Sequence, residues 1–321
     1  MKKGLVYFIC VFVMGLSVLT ACNKDEEYNY PITYQANNFV VTVSGVPLIG
    51  NEAVLTENTL TLKNVIPGEP EAVVTVSRSG DKLTGTDANT YRKLTLDGTI
   101  SGDKLTLDVA MQITVPLVGK WGINSMLFTL DTDKEYVVFG YPEAKQIPPA
   151  LFAGLVKTTI GGMLPLIVQN MTLEEDGNVL VSYSPTMSGA PFVTSPKGMA
   201  VYNMSGNKIY IAPNVEAIGN LIINSLLQTK STGGSVDNIL AMLMSAFPLI
   251  IDLQSGLPKV YVNREMMLPY TELLSKVVVL LPEKYAQVGT MISQFATIVK
   301  ESNAVELGFV LQPWQAGMSA D

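Results

Sequence analysis

RKLTLDGTISGDKLTLDVAMQITV, residues 92–115, reads as two β-strands and the turn that joins them. In its second half Leu105, Leu107, Val109, Met111, Ile113 and Val115 alternate with Thr106, Asp108, Gln112 and Thr114. A period of two puts the aliphatic set on one face and the polar set on the other, so this strand is buried on one side and wet on the other. Gly102-Asp103 supplies the turn, because Gly and Asp accept the positive φ of a tight hairpin. The tetrapeptide Gly80-Asp81-Lys82-Leu83 repeats Gly102-Asp103-Lys104-Leu105, and Gly206-Asn207-Lys208-Ile209 echoes it.

Outward from this hairpin, residues 39–44, 59–65 and 72–77 are further short runs rich in Val, Thr, Leu and Ile, separated by Gly45, Pro67-Gly68 and Gly80-Asp81. Such spacing predicts a small antiparallel sandwich over 38–116. The same turns place Ser79 before Lys82, Ser101 before Lys104 and Ser205 before Lys208. Ser-x-x-Lys is the pattern of penicillin-binding proteins and serine β-lactamases, where a helical turn brings the lysine beneath the hydroxyl. A hairpin tip does not provide that placement, so these are turn residues.

A second domain, 117–321, opens at Val118-Gly119-Lys120-Trp121. Gly-x-Trp at the start of a strand resembles the opening of the lipocalin or calycin barrels. Strands are expected at 121–130, 135–141, 171–174, 179–183, 198–204, 208–212, 259–263 and 305–311, and eight is the number a small closed barrel needs. Helical spacing interrupts them at 148–168, 214–229, 236–247, 269–281 and 283–300. Residues 150–168 are the most apolar of these, but Lys157, Thr158, Thr159 and Pro165 favour a buried helix over a membrane span. The fold class is therefore α+β and β-rich, a sandwich-like N-terminal domain followed by a barrel or half-barrel with inserted helices.

The first 27 residues set the address. Lys2 and Lys3 precede an apolar run from Leu5 to Leu19, too short to span a bilayer, which reads as a secretory signal over 1–21. Leu19-Thr20-Ala21-Cys22 resembles the bacterial lipobox, which implies cleavage before Cys22 and acylation of that residue. Asn23-Lys24-Asp25-Glu26-Glu27 resembles the signal that carries Bacteroidetes lipoproteins to the outer face of the outer membrane; a solvated charged linker would have the same composition. A lipidated tether is expected over 22–37.

Composition excludes much. Without Lys2 and Lys3 the chain carries 19 basic against 28 acidic residues, which argues against nucleic acid. Histidine is absent, and of two cysteines Cys10 leaves with the signal and Cys22 takes the lipid. The Ser-His-Asp triad, histidine and thiolate metal sites and disulfides are thereby removed. No cofactor or metal is expected, and no enzyme activity. Asp131 with Asp133, and Glu174-Glu175-Asp176, offer hard oxygens for calcium, but they match no EF-hand loop and read equally as acidic turns.

The lipobox, acidic tether, Gly-Asp-Lys-Leu hairpins and Gly-Lys-Trp domain with helical insertions together resemble the uncharacterised calycin-like lipoproteins of gut Bacteroidetes. That resemblance implies a fold and an outer-membrane, cell-surface address, and no activity. Trp121, Met163, Met199, Met204, Met244, Met267 and Met291 are candidates for lining an apolar pocket, since methionine makes adaptable pocket walls as well as core. The expected function is non-enzymatic binding of a small, partly apolar ligand. A surface glycan-binding or glycan-processing accessory, and a structural module docking on a membrane partner, are the alternatives; oligomeric state stays open.

Overall fold

The computed structural model describes residues 29–35, 37–49, 51–184, 191–214, 216–217, 247–254, 256–280, 283 and 286–315. Cys22, Met244 and almost all of the helices expected at 214–229 and 236–247 lie outside them.

The chain is α+β and β-rich, built on two curled half-barrel sheets of nine strands each. Nine strands form the first: β1 (Ile32–Tyr34), β2 (Phe39–Val43), β3 (Val46–Leu48), β4 (Glu52–Leu55), β5 (Thr59–Lys63), β6 (Glu71–Ser79), β7 (Lys82–Ala88), β8 (Arg92–Ser101) and β9 (Lys104–Ile113). Their spatial order is β1-β4-β5-β6-β7-β8-β9-β2-β3, antiparallel except where β2 runs parallel to β9. The alternation read in residues 92–115 is kept residue by residue: Leu94, Leu96, Ile100, Leu105, Leu107, Val109, Met111 and Ile113 are buried, and the residues between them face water. The folded body begins earlier than the tether reading allows. Ile32–Tyr34 pairs with β4, and the Tyr34 side chain is buried.

Each Ser-x-x-Lys pair closes a two-residue hairpin, Ser79 opposite Lys82, Ser101 opposite Lys104 and Ser205 opposite Lys208. Gly80, Gly102 and Gly206 have φ of 60°, 61° and 62° at the first central position, the type II′ geometry that matches strand twist.

The second sheet comprises β10 (Gly119–Asp131), β13 (Val168–Leu173), β14 (Val179–Tyr183), β15 (Val193–Thr194), β16 (Ala200–Ser205), β17 (Lys208–Pro213), β18 (Phe247–Asp252), β19 (Lys259–Asn263) and β20 (Ala304–Pro313). Its order is β15-β14-β13-β10-β20-β19-β18-β17-β16. A bridge between Asn178 and Val201 joins the β14 and β16 margins, so the sheet curls towards closure. The short strands β11 (Val137–Phe139) and β12 (Lys145–Ile147) pair as a separate hairpin.

Three helices occur among the described residues: α1 (Pro149–Ile167), α2 (Arg264–Leu280) and α3 (Ala286–Glu301). α2 starts five residues before the expected 269, because Asn263 Oδ1 accepts from the Met266 N–H at 3.0 Å and caps the helix there. Arg264 closes α3: its guanidinium donates to the carbonyls of Val299 and Lys300 at 3.1 and 2.9 Å. The expectation that 150–168 is a buried helix is corrected. Only Phe152 and Val156 of α1 are buried, where they join the cluster of Phe128 and Val137, and most of the rest of the helix is half-buried or exposed.

Candidate functional site

Successive residues of a strand alternate between faces, so Val260 and Val262, Val305 to Leu311 in steps of two, Ile209 and Ile211, and Leu249 and Ile251 all line the inner face of the second sheet. Two buried clusters occupy the ends of that face. Val260, Leu311, Ile209 and Ile251 belong to a cluster continuous with the interior of the first sheet. Val262 and Val305 join Phe128, Phe152, Val156, Met267, Ile298 and Val299 under the helices. Phe152 meets Phe128 and Phe139 edge-on, with ring centroids 5.7 and 4.9 Å apart. Leu249 packs against both clusters, and it, Ile211, Leu307 and Phe309 remain half-buried. An apolar waist thus stays accessible between two sealed ends.

The first sheet closes one end through polar contacts as well as apolar ones. The turn 174–178 projects into it: the Ile113 N–H donates to the Glu175 carbonyl, and the Asn178 side chain, fully buried, donates to the Ser44 carbonyl at 3.1 Å while accepting from the Gly198 N–H at 2.9 Å. Lys197 neutralises Glu174 and Asp176 in this turn. Burial opposes ionisation of Asp176, yet Lys197 and the Asn178 N–H outweigh it and hold the carboxyl below its ordinary range. The acidic run is therefore a docking turn carrying its own cation. No group of three or more metal-ligating side chains occurs among the described residues. Tyr202, beside it, donates its hydroxyl to the Glu174 carbonyl, and burial with the charge of Asp176 pushes its phenol upward.

A second polar joint is centred on Arg92, which is 1% exposed. Its guanidinium pairs with Glu69 and Asp87. Glu69 also accepts from Asn203 of β16 at 2.9 Å, so a buried ion pair of the first sheet is tied to the second. Burial works against the Arg92 charge, and the two carboxylates outweigh it, holding its pKa above the ordinary value.

The sequence candidates do not converge on one pocket. Trp121 packs part-buried against the first cluster with its Nε1 donating to the Leu117 carbonyl, and Met204 is buried in that cluster. Met267 is buried in the other cluster, whereas Met163 and Met291 are exposed on α1 and α3. Met199 is half-buried ahead of β16, and Met244 lies outside the described residues. Trp314 lies just beyond β20. Its ring lies over Gly122, the residue facing the opposite side of β10, with Lys120 Nζ 5.6 Å from the ring centre. The waist residues Ile211, Leu249, Leu307 and Phe309 carry no motif. Their only sequence signal is the alternation that also marks buried core.

A different surface covers the outside of the first sheet. Thr59, Thr75, Thr86 and Thr95 stand in register across β5 to β8, and Ser77, Thr84, Asp97 and Asp108 form the next row. Thr75, Ser77, Thr84, Thr86, Thr95 and Asp97 border a shallow trough of about 460 Å³ without an aromatic residue. Thr42 donates to Asp108 at 2.6 Å at the end of the second row.

Compared with protein-family models, curated proteins and solved structures, the chain matches none.

Proposed function

We propose that this chain is a lipid-anchored, surface-exposed outer-membrane protein, related to the calycin-like lipoproteins it resembles, that holds a small, partly apolar ligand and performs no chemistry on it. The supporting observation is the waist: Leu249 touches both buried clusters, yet it and its neighbours Ile211, Leu307 and Phe309 stay accessible on a face otherwise sealed at its ends. A few apolar side chains of fixed orientation, framed by rigid strands, suit a ligand whose apolar part is desolvated on binding. The test compares the mass of protein purified from its own cells under native and denaturing conditions. Acyl chains on Cys22 persist in both, so a discrete native excess reports a non-covalent passenger. Equal masses count against the reading.

The hydroxyl rows on the first sheet favour a second reading, a surface that hydrogen-bonds glycan hydroxyls through Thr75, Thr84, Thr86, Thr95 and Asp97. Loss of glycan-array binding in Thr84→Val/Thr86→Val would support it. An array on which the parent chain itself stays blank would count against it.

A further inference from the structure

We infer that α1 is a membrane-contact surface, and that what covers it is the headgroup and acyl boundary of a phospholipid bilayer. Apart from Lys157, Thr158 and Thr159 the exposed residues of the helix are apolar or glycine, whereas a helix at the surface of a soluble fold keeps a broad polar face towards water. Its inward side is accounted for by Phe152 and Val156 in the cluster under the helices. Leu151, Leu155 and Leu166 lie bare along one side of the helix, the first two at 53% and 46% exposure, and Ile160 and Met163, the latter at 47%, are bare further round its second half. From Leu151 to Leu166 the stripe runs for about 22 Å at the rise of an α-helix.

Three further features select lipid over a protein partner. Thr158 returns its hydroxyl to the Gly154 carbonyl at 2.9 Å, so this polar group on the outward side is satisfied within the helix. The only charged residue of α1 is Lys157, so no carboxylate of the helix opposes an anionic membrane surface. The β11–β12 hairpin, joined to α1 through the Phe139–Phe152 contact, exposes Tyr136, Val138 and Tyr141, with Tyr136 and Val138 on the side of α3, and these are residue types that settle at a membrane interface. The helix is also long and apolar enough to cross a bilayer by length and composition, but its contacts with β10 and β11 hold it against the body, so it lies on the membrane instead.

This inference stands apart from the ligand reading, and its test is arranged to separate it from the anchor. The full chain, purified with its lipid, is reconstituted into phosphatidylcholine vesicles containing phosphatidylglycerol. L155C, M163C and, on the outer face of the first sheet, T86C are labelled with a polarity-sensitive fluorophore, and far-UV circular dichroism confirms that each is folded. Nitroxide-bearing lipids should quench L155C and M163C several-fold more than T86C, with emission shifted to the blue. Water-like emission at all three positions overturns the inference. So does a blue shift without lipid quenching, which assigns the face to a second copy of the chain. The parent chain labelled in parallel should stay dark; fluorophore on Cys22 would show that the anchor reading fails, and the same depth measurement is then made on protein added to the vesicles.

Discussion

Glu69 accepts from Arg92, Asn89 and Asn203 at once, so one carboxylate joins two strands, a loop and both sheets. Glu69→Ala should lower stability by about 3 kcal/mol, because it leaves the Arg92 charge buried with one partner fewer, and a urea titration reads it. The exposed pair Lys63–Glu52 is solvated, and Glu52→Ala should barely move the midpoint. At Asp176 the folded carboxyl is depressed below its unfolded value of 3.8, so its contribution is complete above that pH and is lost as pH falls through the folded value. In urea midpoints followed from pH 6 down to pH 2, Asp176→Asn should start lower than the parent and decline less steeply. Neither network was legible in the sequence. Glu69 lies 134 residues from Asn203, and nothing in local pattern announces such a pair.

Among elements, β19 and β20 meet where an added Cβ at Gly308 would stand 2.1 Å from the Val260 carbonyl oxygen and 2.5 Å from the Tyr261 Cα. Both obstacles are backbone, so Gly308→Ala should split the pairing and cost about 4 kcal/mol or more, seen as lost soluble yield or a collapsed melting temperature. Strands and hairpins with strict alternation and Gly-Asp turns were readable because both signals are local. β14 and β19 fall within the expected bounds. β18 was not readable. Phe247-Pro248-Leu249-Ile250-Ile251 is a continuous apolar run that helix and strand share, and its pairing with β17 and β19 decides it. The start of α2 was missed for a different reason: Pro269 suits a first helical turn, but the Asn263 cap outweighs the one hydrogen bond that an internal proline removes.

At the scale of the molecule, the two sheets share one buried cluster from Tyr34 to Leu311, with the 174–178 turn and the Glu69–Asn203 contact holding them in register. They should therefore unfold together. Tryptophan emission, from Trp314 beside the second sheet and Trp121 at its junction with the first, should melt at the same temperature as the far-UV signal of both sheets; two separated transitions would show independent units. The proposed ligand site was the least legible feature, since methionine content pointed to side chains that the fold distributes between two cores and two helix surfaces. What distinguishes the waist is accessibility on an inner face, a property of the assembled sheet alone. The most direct measurement is the native-minus-denatured mass of the parent chain beside that of Leu249→Trp, both checked for the same circular dichroism spectrum. The parent should carry a discrete excess and the variant none, because the indole fills the waist. The same excess in both proteins, or none in the parent, would contradict a ligand held there.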